Sequence, residues 1–214
     1  MKDWRKGSEG MRPEEIERAS MEIIAREMGE WRGAAEDLPV VKRVVHATAD
    51  FDFVRTLAFS QGAVNLGREA LRRGASVVTD TAMAAAGVSK PSAARWGVEV
   101  VCRMADPEVG EEARCRGVTR AVVCMERAVE ATPDAVFAIG NAPTALMRLC
   151  ELIREGRARP SLVVGVPVGF VNVVESKEVL AAMDVPQIVA MGRKGGSTVA
   201  AAILNALFYG MEDR

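Results

Sequence analysis

The sequence predicts one α/β domain over residues 13–214, built on a largely parallel sheet with helices on both faces. Two observations carry this expectation. Short runs rich in β-branched residues recur five times after residue 75, and most are followed by a turn and a helix-compatible stretch. Apolar strands alternating with helices belong to parallel sheets that are covered on both sides. A chain of 214 residues, 49% of them apolar and 27% charged, can also close a sizeable core without disulfides or a metal.

Taken in order, residues 1–12 are polar and are expected to fray as a flexible N-terminal segment. Pro13, Glu14 and Glu15 then open a helix, since proline and acidic residues suit a first turn. Ile16, Ala19, Ile23, Ile24 and Met28 continue it at helical spacing. Leu38, Val41, Val44, Val45 and Thr48 fit a second helical face, which places His46 in its last turn; the β-branched pairs Val40-Val41 and Val44-Val45 would also suit a strand. The five predicted strands lie at 76–79, 98–101, 135–139, 161–164 and 187–190. In such sheets ligands gather at the carboxyl ends of strands, so the loops that follow matter most.

Composition narrows the function classes. The formal net charge is −1, so no global basic field draws nucleic acid, and aromatic residues for base stacking are few. No apolar run reaches the roughly 18 residues of a membrane span. The charged N-terminus is not followed by a signal-like apolar stretch, which leads to the expectation of a cytoplasmic protein. Cys102, Cys115, Cys124 and Cys150 form no C-x-x-C pair and share the chain with one histidine, so neither a zinc site nor a disulfide framework is expected. Basic residues are mostly arginine, which suits bidentate recognition of carboxylates.

Three loops are chemically distinctive. Gly140-Asn141-Ala142-Pro143-Thr144 exposes backbone N–H groups ahead of a helix, a place for an anion or a carbonyl, though a simple Gly-Asn turn reads equally well. Glu175-Ser176-Lys177 follows the loop at 165–170; Lys177 could pair a ligand carboxylate, although solvated charge is common at a helix start. Gly192-Arg193-Lys194-Gly195-Gly196-Ser197 offers cations, backbone donors and a hydroxyl, a credible anion nest without the spacing of a phosphate-binding P-loop. Because His46 is the only histidine, any imidazole-based proton chemistry must use it. Composition alone would leave it a packed side chain with one satisfied nitrogen.

The segment Arg43-Val44-Val45-His46-Ala47-Thr48-Ala49-Asp50-Phe51-Asp52 resembles the precorrin-8X and cobalt-precorrin-8 methylmutases. Further landmarks follow in the same order: Ser20-Met21-Glu22, Thr79-Asp80-Thr81, Gly117-Val118-Thr119-Arg120, Gly140-Asn141-Ala142-Pro143-Thr144, Glu175-Ser176-Lys177 and Arg193-Lys194-Gly195-Gly196-Ser197. The resemblance covers nearly the whole chain.

It implies an α/β homodimer that binds the tetrapyrrole near the subunit interface and moves a methyl group from C11 to C12 without consuming a cofactor or holding a metal. His46 matches the histidine that acts on the ring-C nitrogen. Ser20, Thr48, Thr81, Arg120, Asn141, Lys177, Arg193, Lys194, Gly195, Gly196 and Ser197 match substrate contacts. Two rival readings are a corrinoid or tetrapyrrole carrier without catalysis, and a phosphate-dependent α/β enzyme using the 192–197 loop.

Overall fold

The computed structural model describes residues 11–212. Most of the segment expected to fray, 1–12, therefore lies outside the described residues. The first helix, α1 (Pro13–Met28), starts with proline in its first turn, and the Glu15 carboxylate reaches back to accept the Arg12 N–H at 2.7 Å.

Helix α2 (Leu38–Thr48) settles the ambiguity of the valine pairs: Val40, Val41, Val44 and Val45 are all buried, at most 1% exposed, on one helical face. Residues spaced one, four and five apart share a helix face, whereas a strand would have turned half of them to water. A short helix α3 (Phe53–Thr56) leads into strand β1 (Leu57–Phe59), which the sequence reading did not include. Next come α4 (Ala63–Arg72), β2 (Val77–Thr79), α5 (Ala82–Gly87), α6 (Lys90–Arg95) and β3 (Val100–Val101). Helices α7 (Pro107–Arg116) and α8 (Arg120–Ala131) precede β4 (Val136–Ile139), followed by α9 (Pro143–Arg154), β5 (Leu162–Gly165), α10 (Val173–Ala181), β6 (Gln187–Ala190) and α11 (Ser197–Glu212).

The six strands form one sheet in the order β1-β6-β5-β4-β2-β3. All pairs are parallel except β1 with β6. Alternation along the strands divides the core in two. Val136, Ala138, Leu162, Val164, Ile188 and Ala190 face the layer of α1, α2, α4, α5, α6 and α11. Phe137, Ile139, Val163 and Val189 face the layer of α7, α8, α9 and α10. Helix α11 is apolar around most of its circumference, as suits a helix enclosed by its neighbours.

From β2 the chain crosses to β3 over the first layer; from β3 onward it returns through β4, β5 and β6 over the second. Opposite directions on opposite faces are what right-handed crossovers demand. The chain thus diverges between β2 and β4, and a crevice opens at their carboxyl ends.

Candidate functional site

At that crevice the structure corrects one expectation. The Gly140, Asn141 and Ala142 N–H groups do form a nest, but the carboxylate of Asp80, fully buried at the end of β2, fills it at 2.8, 2.8 and 2.6 Å. No ligand anion is needed there, since the chain supplies its own. Burial pushes the Asp80 carboxyl up while the three backbone donors pull it down; because every contact is donated to it, the geometry suits the ionised form. Thr81 caps α5 and its hydroxyl lies 2.7 Å from that of Ser197, at the start of α11. Gly140 makes this junction possible, for a Cβ there would stand 2.8 Å from the Ser197 Cα.

The 192–197 loop is likewise spoken for internally. Lys177 is completely buried, and its ammonium donates to the Gly192 and Lys194 carbonyls, each at 2.8 Å. Gly196 N–H donates to the Val166 carbonyl at 2.8 Å, and a Cβ on Gly195 would collide with the Val166 and Pro167 carbonyl oxygens. The expected pairing of Lys177 with a ligand carboxylate gives way to this inward role: the side chain braces the loop from below. The phosphate-cradle reading loses its backbone donor at Gly196 for the same reason.

With no acidic partner among the described residues, burial lowers the Lys177 pKa to about 8 from 10.5. Between those values the folded chain holds fewer protons than the unfolded one, so the stability this group contributes rises with pH. Urea unfolding of wild type and Lys177→Met should therefore show the wild type gaining on the variant from about pH 8 to pH 10.5. A difference that stays flat across that window would contradict the buried, unpaired ammonium.

Lys194 reaches the other way. Its ammonium lies 2.6 Å from Asp50 and 2.7 Å from Asp52, the residues just past the end of α2. Those bonds hold both carboxyls below their usual range and raise the lysine.

His46 occupies the last turn of α2 and is exposed; among the described residues no protein group hydrogen-bonds its imidazole. Composition had favoured a packed histidine, and the structure places it at the surface. Two open cavities meet at it. One, of about 570 Å³, is lined by Pro13, Ile16, Glu17, Ser20, Arg43 and Tyr209 as well as His46. The second, about 320 Å³, runs past Ala47, Met83, Thr198 and Asn205. Ser20 is thus brought beside His46, its hydroxyl tied to the Ile16 carbonyl at 2.9 Å. Thr48 bonds the Val44 carbonyl and receives the Asp50 N–H, so its hydroxyl organises the helix end.

Arg43 was missed as a site residue. It sits one turn before His46, borders both cavities, pairs with Glu17 at 2.7 Å and stacks 4.9 Å over Tyr209. The signal was present in the sequence, because residues three apart share a helix face.

Other expected contacts lie elsewhere along the carboxyl edge. Arg120 is exposed at the start of α8, against Gly110, and Asn141 is exposed in the loop after β4. Arg193 stacks 5.6 Å over Phe170, a side chain 83% exposed, with Val171 next to it at 77%. None of these three lines the cavities at His46. A further cavity of about 530 Å³ lies across the sheet among Arg116, Glu126 and Arg148. Its charges are already paired with one another, and it is remote from the imidazole.

Comparison with known proteins identifies the fold and the family. A family model described as precorrin-8X methylmutase matches residues 15–210. The cobalt-precorrin-8 methylmutase of Priestia megaterium is 45% identical over 197 residues, 92% of this chain and 88% of that protein. The precorrin-8X methylmutase of Pseudomonas aeruginosa is 44% identical over 170 residues, 77% of this chain and 80% of the relative. The crystal structure of precorrin-8x methyl mutase from Thermus thermophilus superposes with a TM-score of 0.85 at 44% identity, covering 92% of this chain and 98% of the other. With the sheet, the layers and nearly the full length held in common, the chain belongs to the precorrin-8X methylmutase family.

Proposed function

We propose that the chain is an isomerase that moves a methyl group from C11 to C12 of precorrin-8X or cobalt-precorrin-8, giving hydrogenobyrinate or cobyrinate in cobalamin biosynthesis. The observation that carries this reading is the exposed imidazole of His46, uncommitted to any described protein group, at the junction of two open cavities. The migration is an internal rearrangement, so the chain has to hold the macrocycle and bias its tautomers. His46 donates a hydrogen bond or a proton to the ring-C nitrogen and so favours the rearranged product; a positioned general acid contributes roughly 10²–10⁴-fold. Cobalt, where present, belongs to the substrate.

Peripheral carboxylates of the substrate need charge-assisted donors. Arg43 supplies them beside His46, where Ser20 contributes to the cavity wall. Thr48, Thr81, Ser197 and the Gly195-Gly196 backbone line neither cavity at His46 and serve by holding the ends of α2, α5 and α11 in place, while Arg120, Asn141 and Arg193 meet the substrate from outside those cavities. The protein works as a cytoplasmic homodimer. Supporting that assembly are the openness of both cavities and the exposed Met83, Phe170 and Val171, which a second copy and the pigment would cover.

The carrier reading fits less well, because the curated relatives are named for the isomerisation. Anaerobic incubation with metal-free and with cobalt-loaded substrate separates the two. Many product molecules per protein are expected on at least one form; stoichiometric binding without conversion of either would overturn the assignment.

A further inference from the structure

Lys194 joins stretches of chain 142 and 144 residues apart, and the partners it reaches lie directly behind the catalytic helix. Asp50 accepts the Asp52 N–H at 2.9 Å through one oxygen and Lys194 through the other. The Asp50 N–H in turn donates to Thr48 Oγ1, whose hydroxyl bonds the Val44 carbonyl inside α2. A continuous chain of polar contacts thus runs from the Lys194 ammonium into the turn of helix that bears His46.

The end of α2 gains from an outside hold. Its cap, Ala49, adopts a left-handed conformation at φ 53°, ψ 26°, which costs a residue with a Cβ roughly 1–2 kcal/mol. The anchoring loop, by contrast, is rigid: Lys177 clamps the Gly192 and Lys194 carbonyls and Gly195 leaves no room for a side chain.

We infer that Lys194 is a positioning residue for the isomerisation: through Asp50 and Asp52 it fixes the end of α2, and with it the direction from which His46 meets the macrocycle. This departs from the expected role of Lys194 as a receptor for a substrate carboxylate, and it rests on the isomerase reading given above. An ammonium already shared between two carboxylates has little left to offer a third.

A double-mutant cycle decides between the two roles. If Lys194 acts through the aspartates, Lys194→Met lowers kcat roughly tenfold or more, as misplaced catalytic groups do, and leaves KM within about twofold. The same substitution costs nothing further in an Asp50→Asn/Asp52→Asn background, and Lys194→Arg recovers most of the rate. A raised KM with an additive loss in that background would make Lys194 a substrate receptor and overturn the proposal, as would unchanged kinetics in Lys194→Met.

Because His46 is the only histidine, the untagged protein gives one set of imidazole NMR signals, which reports its setting without any turnover. Those signals should move in Lys194→Met and show no further movement when Lys194→Met is added to the double-Asn background. If the double variant folds poorly, Lys194→Arg replaces it: the imidazole signals should return toward those of wild type, and signals that stay where Lys194→Met puts them would contradict the positioning role. Inactive wild type would sink the isomerase assignment alone, while the imidazole signals would still decide whether Lys194 governs His46. Signals that ignore Lys194→Met would overturn the positioning role even in an active enzyme.

Discussion

His46→Ala is expected to lower the rate of methyl migration roughly 10²–10⁴-fold while the protein keeps its fold and still binds the pigment. The side chain is exposed and its imidazole bonds to no described protein group, so removing it opens no core cavity and orphans no partner. Thermal unfolding should be nearly unchanged, and the absorbance of bound substrate should persist without developing into that of the product. Rate loss with retained binding distinguishes a proton donor from a wall of the cavity, which would raise KM instead. Equal turnover by wild type and variant would remove His46 from the mechanism.

Asp80→Asn is expected to be the most damaging polar substitution at the crevice, costing roughly 2–3 kcal/mol of unfolding free energy. The side chains are nearly the same shape, yet an amide has one accepting oxygen where the carboxylate has two. If that oxygen takes the Asn141 and Ala142 donors, the new NH₂ group confronts the Gly140 N–H at a 2.8 Å position, and the reverse orientation leaves two donors facing it. Urea unfolding should show a lower midpoint with an unchanged slope. The loop that carries Asn141 and abuts Ser197 would loosen with it. A neutral or stabilising result would mean that burying the carboxylate costs more than its three bonds return.

The parallel core of the fold was legible because its strands are dense β-branched runs, and all five of them are present at or within a few residues of the expected bounds. Helix α2 was legible for the opposite reason, its valines recurring at helical intervals. Strand β1 was not. It has three residues, Leu57-Ala58-Phe59, and exists by pairing with Ala190, Val189 and Ile188 from the far end of the chain, which no local pattern announces.

The site divides along the same line. His46 stood out by being unique, and the distinctive loops do lie at the carboxyl edge of the sheet. What those loops bind was not readable, since the partners are distant in sequence: Asp80 for the Gly140 nest, and backbone carbonyls for Lys177. A residue type that suits a ligand carboxylate suits an internal carbonyl equally well, and only packing chooses between them. Arg43 is the reverse case, a contact available from the helical face it shares with His46.

The claim that the chain is a methylmutase acting through His46 is tested most directly by following a ¹³C label placed in the C11 methyl group of the substrate. Wild type should deliver the label intact to C12, whereas His46→Ala, holding the same pigment, should leave it at C11 over the time in which wild type completes conversion. A label that stays at C11 in the wild-type complex would contradict the account.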